Sequence, residues 1–146
     1  MKKWDRKKVR FWAEFGSSLP TDLIEDDNGF VQLGGKSVAE AIAEILRGLG
    51  SDVEQPRNAG DHGWDFVGQV RGAHIWGQVT LIEDYIFIFD RRPTFPNWFQ
   101  RDPPALFETL GALAAAMAKD ERFSDVRWVY EPLAGETGVV DPLIDA

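Results

Sequence analysis

The sequence predicts an α+β domain, an antiparallel sheet of about five strands with two helices in the order β-α-β-β-β-α-β. Three observations predict it. Residues 64–89 contain WDFVGQV, HIWGQVTLI and YIFIF, three short apolar runs separated by tight turns, and such turns join only antiparallel neighbours. Two stretches with apolar residues at helical spacing flank this meander instead of alternating with its strands. The chain of 146 residues is long enough for one core without metal or disulfide support, and it holds no cysteine. Residues 1–146 are therefore expected to form a single domain, with a basic arm at 1–8 and a loosely packed tail at 132–146.

The elements follow in order. Val9, Phe11, Ala13 and Phe15 alternate with Arg10, Trp12 and Glu14, the pattern of a half-buried strand ending at Gly16. GSSLPTDLIEDDNGFVQLGG keeps no period and is rich in turn formers and acids, so it reads as a long connection. Ser37 and Glu40 have capping-box spacing ahead of Val38, Ala41, Ile42, Ile45, Leu46 and Leu49, which predicts a helix over about 38–48. After the meander, RRPTFPNWFQRDPP interrupts regular structure and places Phe95, Trp98 and Phe99 in a loop expected to fold back as a lid. Asp102 as N-cap and the two following prolines open a second helix with the stripe Leu106, Leu110, Leu113 and Met117, ending near Lys119. Val126–Tyr130 alternates as a last strand.

Turn chemistry assigns the sheet faces. Taking Arg71 and Gly72 as a two-residue loop pairs Val70 with Ala73, Gly68 with Ile75, Phe66 with Gly77 and Trp64 with Val79, so each glycine meets a large residue. Taking Glu83 and Asp84 as the second loop puts Ile86 and Ile88 on that same face. Tyr85, Phe87 and Phe89 then join Asp65, His74, Trp76 and Gln78 on the other. One face is aliphatic and belongs to the core. The second mixes aromatics with polar groups, as interfaces and ligand grooves do, although rows of aromatics at period two are more often core.

Charge narrows the partners. The first ten residues carry six cations against Asp5, a net of +5, so residues 11–146 hold −13 within the total of −8. An acidic body repels phosphate backbones, which argues against direct nucleic-acid binding and toward basic macromolecules. No run approaches the roughly 20 apolar residues of a membrane helix. With no signal peptide recognised and no cysteine present, a cytoplasmic location is expected.

Catalytic motifs are not found. His62 in DHGWD has Asp61 and Asp65 nearby, but the spacing fits no metal motif, and a turn entering a strand explains the glycines. LGGKS at 33–37 ends like a P-loop, yet the leading glycine position is Phe30. No catalytic residue, cofactor or metal site is expected.

HGWDF, IWGQVTLIEDYIFIFDRR and RFSDVRWVYE, on a small acidic chain without cysteine, resemble uncharacterised bacterial proteins and look like the immunity proteins that neutralise polymorphic toxins. The resemblance covers about Gly34 to Glu131 at the level of layout and transfers no functional residue. It implies a class, a basic toxin bound by an acidic and aromatic surface. On this reading Trp76, Phe87 and Phe89 are anchors, Tyr85, His74, Gln78 and Asp65 complete the face, and Asp22, Glu25, Asp26 and Asp27 steer the partner. Two alternatives compete with it. One is a small-ligand binder or enzyme with a pocket between the sheet and the Phe95–Phe99 loop; the other is a homo-oligomer, a homodimer for example, that buries the aromatic face against its own copy.

Overall fold

The computed structural model describes residues 4–92 and 101–146, apart from the side chain of Phe30, so the expected lid of Phe95, Trp98 and Phe99 lies outside the described residues. The chain is α+β. Its main sheet is seven-stranded, more than the five expected, and built from β1 (Trp12–Ser17), β4 (Asp52–Val53), β5 (Arg57–Asn58), β6 (Trp64–Val70), β7 (Ala73–Leu81), β8 (Tyr85–Arg91) and β9 (Phe123–Val129). The order is β4-β6-β7-β8-β1-β9, with β5 also on β6, and every pairing is antiparallel. The two strands that the sequence pattern does not reveal, β4 and β5, are two residues each, too short to show a period.

The connection after β1 also departs from expectation. It folds into a separate hairpin, β2 (Ile24–Asp26) and β3 (Gly29–Gln32), whose strands pair, among the described residues, only with each other. The turn signal lies in DDNG, where Asn28 N–H donates to the Asp26 carboxylate at 2.8 Å and Gly29 adopts a φ of +122°.

Helix α1 (Lys36–Gly48) starts earlier than the capping box implies. Gly35 is its N-cap residue, so Ser37 lies inside the first turn and caps nothing with its side chain. This first-turn amide is instead satisfied from a distance, because Ser37 N–H donates to the Asp22 carboxylate at 2.7 Å. Asp22 is thereby committed to holding the helix and is removed from the free steering acids. Helix α2 (Pro104–Lys119) likewise has Pro103 rather than Asp102 as its N-cap residue. Asp102 serves instead as an ion-pair partner, with Arg6 donating to it at 2.7 Å and Arg91 lying 3.2 Å away.

Both helices pack on one face of the sheet. Leu106, Leu110, Leu113 and Met117 from α2 and Val38, Ile42 and Leu46 from α1 join Phe66, Ile75, Val79, Phe87, Phe89 and Trp128 in one buried cluster. The first hairpin is as read, with Val70 on Ala73 through Trp64 on Val79. The second is not. Leu81 pairs with Tyr85, so the loop is Ile82-Glu83-Asp84, three residues instead of two. One extra loop residue turns every following side chain to the opposite face. Tyr85, Phe87 and Phe89 therefore point into the core, at 4, 0 and 0% exposure, and Ile86 and Ile88 point away from it.

Both ends of the described chain touch the body of the domain. Trp4 stacks on Phe107 with centroids 5.3 Å apart, and Arg6 bridges Asp90 and Asp102, so the arm is held at these two residues while Asp5, Lys7 and Lys8 are exposed. Val139 exchanges both backbone bonds with Trp128, at 2.7 and 2.9 Å, covering the outer edge of β9, and Arg10 N–H reaches the Pro142 carbonyl at 3.1 Å. Among the apolar residues of the tail, Val139, Leu143 and Ala146 pack against the core, while Leu133, Val140 and Ile144 are exposed.

Tyr85 carries a consequence of its new position. Its buried hydroxyl has no hydrogen-bond partner among the described residues, and burial, aided by the negative charge of Asp22, raises its pKa above the ordinary tyrosine value. An acid whose folded pKa is raised keeps its full contribution to stability below the unfolded pKa of about 10 and loses it as pH rises through the folded value. Tyr85→Phe is expected to cost less than about 1 kcal/mol near neutral pH, since no bond is lost, and to flatten the alkaline fall in stability. Urea midpoints at pH 8 and pH 11 check both; a loss of several kcal/mol at pH 8 would contradict it.

Candidate functional site

The sheet face opposite the helices is the candidate site, and it is built by cross-strand rows. One row runs Arg57, Asp65, Gln78, Ile88, Trp12 and Val129 across β5, β6, β7, β8, β1 and β9. A second row carries Val67, Trp76 and Asp90, and a third carries Thr80, Ile86, Glu14 and Arg127. Neither α1 nor α2 packs on this face; the short turn Gly60–His62 touches its margin, where Thr80 Oγ1 donates to the His62 carbonyl at 2.8 Å. Val67, Trp76, Gln78, Ile88 and Trp12 are all half-buried. The face is closed toward β9 by the tail: Leu133 N–H donates to the Glu14 carboxylate at 3.3 Å, and Gly138 fits so closely over Val129 that an added Cβ would lie 3.0 Å from its methyl carbon.

Charges frame this apolar strip. Arg57 lies 3.8 Å from Asp65 at one margin. At another, Arg6 donates to Asp90 at 3.0 Å as well as to Asp102, and these two carboxylates hold its guanidinium above even the usual arginine pKa. Arg10 stacks over Tyr130 at 4.2 Å and donates to Asp145 at 2.7 Å.

No family model, curated protein or solved structure matches the chain.

The placement of the expected site residues is divided. Trp76, Gln78, Asp65 and His74 do lie on the helix-free face, and Asp65 stands directly opposite Gln78. His74 is exposed and pairs with Gln69, four residues along β7 from Gln78, which separates it by roughly 13 Å. The three polar groups therefore do not converge. Phe87, Phe89 and Tyr85 are corrected out of the site, because a fully buried ring cannot anchor a partner. Glu25, Asp26 and Asp27 stand on the separate hairpin, exposed.

Trp12 is the functional candidate that sequence reasoning misses. Its exposed phase is readable from the alternation of β1, but nothing local shows that β1 inserts between β8 and β9 and so brings Trp12 beside Ile88. A cleft of about 240 Å³ at the Asp84 end of the sheet is lined by Glu14, Asp84, Asp125, Arg127, Glu136 and Thr137. It is smaller than the roughly 300 Å³ at which ligand pockets begin and is lined by none of His74, Asp65 and Gln78.

Proposed function

We propose that this chain is a protein-binding module of inhibitor type, and that the helix-free face centred on Trp12 and Trp76 is where it meets a basic protein. The observation that carries this is the one-sided coverage of the sheet. Both helices lie on one face, while the other keeps a strip of two tryptophans and two aliphatics, Val67 and Ile88, half-open among polar groups. Rigid indoles give contact area at little entropic cost and are the side chains on which binding energy concentrates. Net charge decides the kind of partner. With −8 on each copy, self-association brings like charges together, whereas a basic protein is attracted and its encounter accelerated.

The test joins capture to mapping. Tagged wild-type protein and the Trp12→Ser/Trp76→Ser variant, matched by circular dichroism, are used to capture partners from cells of the source organism at low salt. The expected result is a basic protein retained by the wild type and lost by the variant, with hydrogen exchange slowed at residues 65–78 in the purified complex. Retention by both proteins, or slowing confined to the helices, overturns the reading. A dimer by light scattering that the variant abolishes overturns it too, by assigning the face to a second copy.

A further inference from the structure

The β2–β3 hairpin carries a separate inference. Its base is fixed: Gln32 Nε2 donates to the Asp22 carbonyl at 2.6 Å, Gly35 N–H to the Thr21 carbonyl at 2.9 Å, and Trp64 Nε1 to the Leu33 carbonyl at 3.0 Å. Beyond that base the arm is bare. Leu23, Ile24 and Val31 are 39, 48 and 60% exposed, high values for aliphatic side chains placed together. Among the described residues, the backbone groups of Ile24, Glu25 and Asp26 make no hydrogen bond outside the hairpin, so the outer edge of β2 is an unpaired ladder. The irregularity in the pairing falls where β3 gains the extra residue Val31, which leaves β2 regular.

Proteins usually blunt such an edge by keeping it short, by placing charges on it, lysine above all, or with proline or a covering element; β2 is three residues long and carries Glu25 and Asp26, so its guard is acidic. Residues 24–32 contain no lysine, arginine or proline. They contain Glu25, Asp26 and Asp27, and no cation occurs anywhere between Phe11 and Gly35. Like charges directly opposite one another destabilise a strand pair, so these carboxylates oppose pairing with a second copy of β2. Opposite charges stabilise it.

We propose that the outer edge of β2 accepts an extended basic segment of a partner protein as an added strand. On one face of the added strand a lysine or arginine would lie across from Glu25, and on its other face an aliphatic side chain would cover Ile24. Main-chain bonds supply the affinity and the alternate side chains the selection, as in other cases of strand addition. This site is distinct from the helix-free face and stands whether or not that face binds anything.

A blocked heptapeptide of alternating lysine and valine, titrated into isotopically labelled protein at low salt, is the probe. A lysine–glycine peptide of equal charge is its control. Amide shifts are expected to concentrate at residues 23–27, with the valine peptide binding at least about tenfold more tightly than the glycine one. Glu25→Lys/Asp26→Lys/Asp27→Lys should weaken it by about tenfold or more, while Glu40→Lys/Glu44→Lys/Glu54→Lys, an equal charge change at exposed sites elsewhere, should leave it within about threefold. Equal binding of the two peptides, shifts spread over the whole acidic surface, or an equal loss in both triple variants overturns the proposal. Residues 65–78 are not involved in this readout, so its failure and that of the helix-free face are told apart.

Discussion

Phe87→Ala is expected to lower stability by about 3–5 kcal/mol, a large part of what a domain of this size possesses. Phe87 is fully buried at the centre of the core, with ring centroids 6.2 Å from Phe66, 6.5 Å from Phe89 and 6.3 Å from Trp128. Truncation empties a space that four other strands surround, since the row Trp64, Val79, Phe87, Ala13, Trp128 crosses β6, β7, β8, β1 and β9 through it. Trp76→Ala, on the opposite face of the neighbouring strand, should cost less than about 2 kcal/mol, because only part of that indole has left water. The two urea midpoints decide the frame of β8. Were the loop before it two residues long, Phe87 would share the face of Trp76, and the order of the two losses would reverse.

Gly77→Val is expected to be comparably severe. Gly77 lies in the middle of β7 without a positive φ, so its backbone is open to any residue and only space forbids a side chain. A Cβ there would meet the Phe66 ring carbon Cε1 at 2.8 Å and that of Phe87 at 2.9 Å, and neither fully buried ring has room to retreat. Even alanine should cost about 2–3 kcal/mol, and valine should leave little folded protein at about 37 °C. The cause can be separated from strand propensity by pairing Gly77→Ala with Phe66→Leu. A coupling of about 1 kcal/mol or more in the double-mutant cycle is expected, because the smaller side chain gives up the contested space. Additive losses would contradict the steric account.

The same two aromatics show how far the sequence is legible. The pairing of Phe66 with Gly77 follows from counting through Arg71-Gly72, a turn whose chemistry is written in one glycine with a φ of +80°. The next turn has no such residue. Ile82, Glu83 and Asp84 all have ordinary backbone angles, so two or three loop residues are equally admissible from composition, and the choice is made by burial of Phe87 and Phe89 against helices far along the chain. Asp22 fails to be legible for a related reason. Its role as a distant cap of α1 depends on the base of the hairpin folding beside Ser37, fifteen residues on, and no local pattern carries that. Trp12 is visible as the outward phase of β1, but its neighbours are set by sheet order, which strand periodicity does not contain. Helix positions are readable because their stripes extend over three or more turns; their first residues are not, because both caps are satisfied or replaced by tertiary contacts.

The loop from Ile82 to Asp84 has one more consequence. All three of its side chains are exposed, so the identity of each residue is close to free. Their number is not. Parity at this turn selects whether phenylalanines or isoleucines of β8 reach the helices, and a single deletion would expel three aromatic rings while drawing in two aliphatic chains. Tolerance here is thus split between two kinds of genetic change: substitutions should accumulate freely at 82–84, and insertions or deletions should survive only in pairs.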